Sequence, residues 1–259
     1  MIVDYIGDSI AYRLIWFQHI HKAAGTLIVN MAKANNEKMY INNNNGNPTN
    51  DNGVVLPIWE YSDLELSKFI DNCEKNGVTF VATESGAPNF NVLEMDNRVT
   101  LITCLRDPEK RLVSNHNYAY YSGYTEEKKL INFIHKPNIF LSDNYYVRIF
   151  SNNGKFPNKL LNEEDYQYAI ENISKFDLII NLDLDDVQEK LKLKLDWKNK
   201  KVDRHSTFGN KWNIINLLKK LQFLKLKKYL KREKIDSDLS CIKNKYNLDY
   251  RFMEELFSK

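Results

Sequence analysis

Lys22 sits where the chain changes character. Before it, Leu14-Ile15-Trp16-Phe17 is an apolar run that reads as a buried strand. After it, Leu27-Ile28-Val29 opens an apolar-periodic segment that reads as a helix. Between them lies the polar turn His19-Ile20-His21-Lys22-Ala23-Ala24-Gly25-Thr26. A strand that feeds a helix through a turn of small residues is an anion site in outline. The first backbone N–H groups of the helix have no internal partner, and the helix dipole adds partial positive charge there. Lys22 brings a full charge to the same place and Thr26 a hydroxyl donor, so the turn is expected to seat a phosphate-type group. The competing reading is a tight strand-to-helix turn with a surface lysine. The loop G-x-x-x-x-G-K-[ST] is absent, because Lys22 precedes Gly25 instead of following it.

Arg106 and Ser114 carry a second inference of the same kind. Val99–Leu105 is an apolar, β-branched run that runs into Arg106-Asp107-Pro108. Proline suits the first turn of a helix, which predicts a helix from there through Tyr120, with Ser114 about two turns in. The carboxyl ends of parallel strands converge on one crevice, so Arg106 is expected to face the crevice that Lys22 faces. Arginine makes forked hydrogen bonds to phosphate oxygens, and a serine hydroxyl can complete such a cradle. Two separated anion sites on one crevice predict a ligand with phosphates at both ends. The alternatives are an ion pair of Arg106 with Asp107 or a helix carboxylate, and an ordinary exposed Ser114.

The elements that must position these groups follow from the rest of the pattern. Residues 78–82 read as a second strand, ending at Thr83-Glu84-Ser85-Gly86, and residues 176–180 as a fourth. Helical spacing covers residues 64–73, 126–135, 139–150, 163–174, 185–193 and 246–256. Strands alternating with helices imply an α/β fold in one domain spanning 1–259, with a central parallel sheet covered on both faces. Residues 42–53, NNNNGNPTNDNG, read as a mobile loop and not an element: a lid or a plain surface insertion. Residues 211–234 hold nine Lys/Arg and one acid, with Ile214, Leu217, Leu218, Leu221 and Leu224 on one helical face. That segment reads as a solvated amphipathic helix, or as a surface that attracts an acidic substrate or anionic lipid.

Composition narrows the classes. In 259 residues, 43% hydrophobic and 12% aromatic content supports a packed core. The 37 basic and 34 acidic residues nearly balance, which gives no electrostatic argument for nucleic acid. Cys73, Cys104 and Cys241 are far apart and make no metal-type pair, and Cys104 is expected to be a buried thiol. The opening MIVDYIGDSI lacks a basic n-region and a long apolar run, and no apolar stretch is long enough to span a bilayer. These features predict a cytoplasmic protein with no transmembrane segment.

The two motifs carry a resemblance. His19-Ile20-His21-Lys22-Ala23-Ala24-Gly25-Thr26 resembles the H-I-P-K-T-G-G-T turn of the carbohydrate sulfotransferases, and Leu105-Arg106-Asp107-Pro108-Glu109-Lys110-Arg111-Leu112-Val113-Ser114 resembles their L-R-D-P-x-x-R-x-x-S segment. The order and separation agree, and the tail Asn247-Leu248-Asp249-Tyr250-Arg251-Phe252 is similar to the family's ending. The resemblance implies a nucleotide-binding fold with a central parallel sheet and the donor 3′-phosphoadenosine-5′-phosphosulfate (PAPS), which leaves as 3′,5′-adenosine bisphosphate (PAP), with no metal required. Lys22, Gly25 and Thr26, in a turn completed by Ala23, Ala24 and Leu27, would hold the 5′-phosphosulfate. Arg106 and Ser114 would hold the 3′-phosphate, and the polar stretch with Arg204, His205 and Ser206 would help hold the nucleotide. Three positions depart from the pattern: His21 replaces Pro, and Ala23-Ala24 replaces Thr-Gly, which removes a hydroxyl and narrows the backbone's freedom.

For the base, the resemblance directs attention to the end of the strand before the arginine-bearing one, hence to Glu84, with a carboxyl expected to be raised by partial burial. His21 and His116 are the reserves. Tyr118, Tyr120, Tyr121, Tyr124, Tyr145, Tyr146 and Arg148 would suit a glycan or another polar, ring-containing alcohol, or serve as core and rim. The family's animal members carry a membrane anchor; none is expected before Tyr12 here, so the expected acceptor is a nucleotide sugar, lipid-linked glycan or small natural product. Two other classes compete: a small-molecule kinase using a nucleoside triphosphate, with Asp183 and Asp185 as its magnesium carboxylates, and a non-catalytic nucleotide- or glycan-binding module.

Overall fold

A computed structural model of the chain describes residues 11–136, 140–151, 159–198, 202, 211–219, 221–231 and 245–258. The chain begins with β1 (Leu14–Gln18), α1 (Gly25–Ala34) and a hairpin of β2 (Asn43–Asn44) and β3 (Asn47–Pro48). A 3-10 turn at Ile58–Glu60 leads to α2 (Asp63–Lys75), β4 (Phe80–Thr83), α3 (Phe90–Met95), β5 (Val99–Leu105) and α4 (Pro108–Tyr121). Then come α5 (Leu130–Ile134), α6 (Tyr145–Phe150), α7 (Glu163–Ser174), β6 (Leu178–Asn181) and α8 (Val187–Leu195). The last helices are α9 (Lys211–Lys219), α10 (Phe223–Lys231) and α11 (Asn247–Phe257).

The sheet is the α/β frame that the alternating pattern implies. Its four strands run in the order β4-β1-β5-β6, and every pairing is parallel. All five residues of β1 are buried, because successive side chains enter opposite layers. Leu14 and Trp16 join a core with residues of α2, α3, α6, α7 and α11, while Ile15 and Phe17 join one with residues of α1 and α8. Cys104 is fully buried in the second core.

Local chemistry sets the helix starts. Ser62 and Glu65 form a reciprocal capping box on α2, and Asn162 and Asp165 form one on α7. Asp107 caps α4 with Pro108 in its first turn, as the Arg-Asp-Pro sequence requires.

Several expected elements need correction. The Asn-rich segment is not a featureless loop: β2 and β3 pair antiparallel around Asn45 (φ 50°) and Gly46 (φ 84°), and Asn47 and Thr49 are buried. Gly46 lies so close to the sheet that an added Cβ would meet the Ala82 Cβ at 3.1 Å. The expected helix over 126–135 shrinks to α5, because His116 Nε2 donates to the Glu127 carbonyl at 2.8 Å and holds that residue outside the helix. The expected helix over 139–150 shrinks to α6, which starts after Asn144 in the left-handed region (φ 45°). The basic segment is two helices and not one. Leu221 turns left-handed (φ 54°), and the Leu217 carbonyl accepts from Gln222 at 2.9 Å. No glycine or proline occurs in residues 211–231, so the sequence carries no breaker signal there. Among the described residues, no helix is long and apolar enough to cross a membrane.

Candidate functional site

A cleft of about 890 Å³ opens at the carboxyl ends of the strands. The β1–α1 turn supplies His19, His21, Lys22, Ala24, Gly25, Thr26 and Leu27 to its lining. Glu84 enters from the end of β4, Arg106 from the end of β5, Ser114 and Tyr118 from α4, and Asn45 from the hairpin. Residues 182–187, after β6, form the remaining wall.

The turn is built to point backbone N–H groups outward. Lys22 (φ 65°) and Ala24 (φ 61°) both take the left-handed conformation, and α1 begins immediately after Ala24. Ala24 has no side chain that can cap the helix, and the first turn contains no acid. The N–H groups of Gly25, Thr26 and Leu27 therefore start a helix whose positive end is not neutralised by its own residues. Gly25 is fixed by packing: a Cβ there would fall 1.6 Å from His19 Nε2. His19 is itself stacked on Phe17 (ring centroids 5.4 Å apart). Ala23 is fully buried beneath the turn and does not line the cleft.

Lys22 Nζ lies 4.2 Å from the centroid of the Tyr118 ring, a cation–π contact. Burial, and then the nearby Arg106 charge, push the Lys22 ammonium down to about 8, against an opposing pull from Glu84. A cation held in a partly dry cleft beside another cation is stabilised when an anion enters.

Glu84 is the corrected residue. Its carboxyl was expected to be raised by burial. Burial does push it up, but the His19 and His21 imidazoles, the hydrogen bond from His21 and the Lys22 charge outweigh that, so the net direction is down. Glu84 Oε1 lies 2.8 Å from His21 Nδ1, and Oε2 lies 3.4 Å from His19 Nδ1. An ionised carboxylate can only accept, so His21 turns its Nδ1–H toward Glu84, and in the neutral form of the ring Nε2 would hold a lone pair. The His21 ring is stacked on Phe140 (4.2 Å) and meets Tyr118 edge-on (6.0 Å). Glu84 is held from behind, where its N–H donates to Asn47 Oδ1 at 2.9 Å. Beside it, Thr83 ties Trp16 Nε1 (3.2 Å) to Gln18 Oε1 (3.0 Å).

Arg106 occupies the other side. The Tyr146 hydroxyl donates to its carbonyl, which fixes the strand end. Its buried Nε finds no hydrogen-bond partner among the described residues. Among the described residues no carboxylate lies within ion-pair distance of Arg106, though its charge helps to hold Asp183 below the usual carboxylate range. Asp107 Oδ1 accepts from the Lys110 N–H at 2.9 Å, and the Asp107 N–H donates to Asp183 Oδ2 at 2.8 Å. Asp183 also takes Lys110 Nζ at 2.9 Å, and Asp185 accepts the Asn181 N–H at 2.8 Å, so both carboxylates are used within the protein. Ser114 and Tyr118, one helical turn apart, present one face of α4 to the cleft.

The cleft thus gathers Lys22, Ala24, Gly25, Thr26, Leu27, His21, Glu84, Arg106 and Ser114. His116 lies elsewhere: it is fully buried, stacked on Phe133 (4.7 Å) and bonded to the Glu127 carbonyl, a brace for the 125–130 segment. Arg204, His205 and Ser206 lie outside the described residues. Of the tyrosine cluster only Tyr118 lines the cleft, while Tyr120, Tyr121, Tyr145 and Tyr146 are core and Tyr124 is exposed. Arg148 is buried and paired with Asp143 at 2.8 Å. Asn45, Asn47 and His19 were not singled out as site residues. His19 stands inside the first motif, but nothing in an Asn-rich stretch marks which asparagine faces inward. Compared with known proteins, the chain matches no family model and no curated protein.

Proposed function

We propose that this chain is a sulfotransferase that moves a sulfuryl group from PAPS to a hydroxyl of a glycan or a small polar natural product and releases PAP. The observation that carries the reading is the placement of two cationic half-sites on one cleft, with an imidazole–carboxylate pair beside the first. The uncapped start of α1 and the unpartnered Arg106 Nε are groups that a doubly phosphorylated ligand would satisfy. The donor would supply an activated sulfuryl group joined to a phosphate leaving group.

The chain's own residues divide the work. Lys22, Thr26 and the first N–H groups of α1 bind the 5′ end and stabilise charge that grows on the departing phosphate. Arg106 and Ser114 bind the 3′-phosphate and set the register of the nucleotide. His21 Nε2 takes the proton of the acceptor hydroxyl. Glu84 orients the ring through Nδ1 and stabilises the imidazolium that forms. This reverses the expected ranking, with His21 as base and Glu84 as its partner. A cytoplasmic setting belongs to the same proposal, in keeping with Cys73 and Cys104 as free, buried thiols.

Thermal-shift titration with PAP, set against ATP plus magnesium, tests the reading. Stabilisation by PAP without metal supports it, since a ligand that binds only the folded chain raises the melting temperature. Preference for ATP with magnesium would move the kinase reading to the front. PAP binding without sulfuryl transfer to any hydroxyl would leave the binding-module reading.

A further inference from the structure

We infer that the α9–α10 pair is a docking surface for an anionic lipid bilayer. An amphipathic helix pair in a water-soluble setting has one apolar face and one polar face. The inner face here is already accounted for: Leu217 and Tyr229 are buried against Tyr120 and Tyr121 of α4, with Ile214 and Leu226 packed beside them. The outer face is expected to be polar, yet Leu218 (44% exposed), Leu221 (72%), Phe223 (60%), Leu224 (79%) and Leu230 (61%) lie in solvent. Three of the five cluster at the turn between the helices. Leu221 holds the left-handed conformation there, which is sterically strained for any residue with a branched side chain. Burial within the fold does not explain a strained, exposed leucine at that tip.

The charge of the segment names the partner. Residues 211–231 contain seven lysines and no acid, in a chain whose charges otherwise nearly balance. On α10, Lys227 is exposed one turn beyond Phe223 and Leu224 and one turn before Leu230, and Lys219 is exposed beside Leu218 on α9. Apolar side chains at a tip, flanked by lysines, match the boundary between acyl chains and acidic headgroups: the leucines and phenylalanine enter, and the ammonium groups stay at the phosphates. A nucleic acid or acidic polysaccharide would use the lysines and leave the apolar tip in water.

The position of the surface has a consequence that rests on the sulfotransferase reading. α10 packs against α4, which carries Ser114 and Tyr118 on the cleft wall. Docking through α9–α10 would hold the cleft beside the bilayer, so the acceptor hydroxyl would belong to a lipid-borne molecule.

Vesicle co-sedimentation of the full chain tests the docking directly and needs no activity, so its outcome is independent of the sulfotransferase reading. The expected result is binding to phosphatidylcholine vesicles containing about 30 mol% phosphatidylserine and not to pure phosphatidylcholine. Leu221→Ser, Phe223→Ser and Leu224→Ser combined should weaken that binding at least tenfold, roughly, without lowering the melting temperature, because all three side chains are exposed. Lys219→Glu with Lys227→Glu should abolish it at physiological salt. Absence of binding to the anionic vesicles overturns the inference. So does binding that the serine variant leaves unchanged and heparin or RNA displaces, which would make the surface a polyanion site. Self-association lost in the serine variant, with no vesicle binding, would make it a contact between copies of the chain.

Discussion

The two halves of the cleft are built on opposite principles. In the β1–β4 half the polar groups find one another: Glu84 takes His21 at 2.8 Å and is backed by Asn47 at 2.9 Å, and Gly25 is locked against His19. In the β5–α4 half the key group is left over: Arg106 Nε is buried with no partner among the described residues, while the neighbouring carboxylates serve Lys110 and backbone N–H groups. The first half is preorganised, as groups that move a proton must be. The second keeps a donor that a bound anion would satisfy. On the sulfotransferase reading, substitutions in the first half should lower turnover, and those in the second should lower donor affinity.

Lys22→Ala should have the largest effect, because on that reading Lys22 serves both chemistry and binding. Transfer should fall by roughly 10²- to 10³-fold, the scale for a preorganised donor to a leaving oxyanion, with a loss of PAP affinity besides. Full retained activity would rule out the proposed phosphosulfate site. Lys22 also sets a pH signature. Its ammonium is pushed down to about 8 from an ordinary value of 10.5, chiefly by burial. The folded protein therefore binds that proton less tightly than the unfolded chain does. The cost to stability is complete below about 8 and is relieved as pH rises toward 10.5. On the sulfotransferase reading anion binding needs the proton, so PAP affinity should weaken by up to about tenfold per pH unit above about 8, measurable by calorimetry.

Glu84→Gln comes next. It keeps the shape but removes the charge that stabilises the His21 imidazolium, so turnover should fall by about 10²-fold or more while PAP affinity stays nearly intact. His21→Ala should reproduce the loss. If Glu84→Gln is silent, the pair is structural and the base lies elsewhere in the cleft.

Arg106→Ala should do the opposite. Loss of a charge-assisted contact corresponds to roughly 10- to 100-fold in PAP affinity. Turnover at saturating donor should change little, and the acceptor KM should hold. A variant with normal donor affinity would remove the 3′-phosphate role and with it the contrast between the halves.

The same contrast explains what was legible in the sequence. The frame was: Val99–Leu105 is a strand with the expected bounds, because a β-branched run ending in Arg-Asp-Pro leaves the backbone little choice. Lys22 and Arg106 were placed on one cleft by strand polarity, since parallel strands bring their carboxyl ends together, and Ser114 by its position about two turns into the helix that follows Arg106. What stayed hidden depends on contacts distant in sequence. The role of Asn47 needs residue 84, 37 positions away, and the hairpin that carries it has an indistinct Asn-rich pattern. The direction of the Glu84 shift depends on two imidazoles that meet it only in the folded state. The turn at Leu221 has no glycine or proline to announce it.

Ala24→Gly should have the smallest effect, and it probes whether the preorganised half carries strain. Ala24 stands where the resembling motif has glycine, and it takes the left-handed conformation (φ 61°) that glycine adopts freely. A side chain in that conformation costs about 1–2 kcal/mol, and glycine's greater freedom in the unfolded chain returns about 0.4–1 kcal/mol of that. The variant should therefore unfold at a slightly higher denaturant concentration, with a net gain of up to about 1 kcal/mol. Because the strain sits in the turn that aims the N–H groups of Gly25, Thr26 and Leu27, PAP affinity should rise or hold and not fall. A loss of stability would mean that the Ala24 methyl contributes packing that exceeds the backbone cost. Ala24 does pack, half-buried, against the α1–α8 side of the sheet, so its methyl contacts and its backbone angle pull in opposite directions, and the sign of the change decides between them.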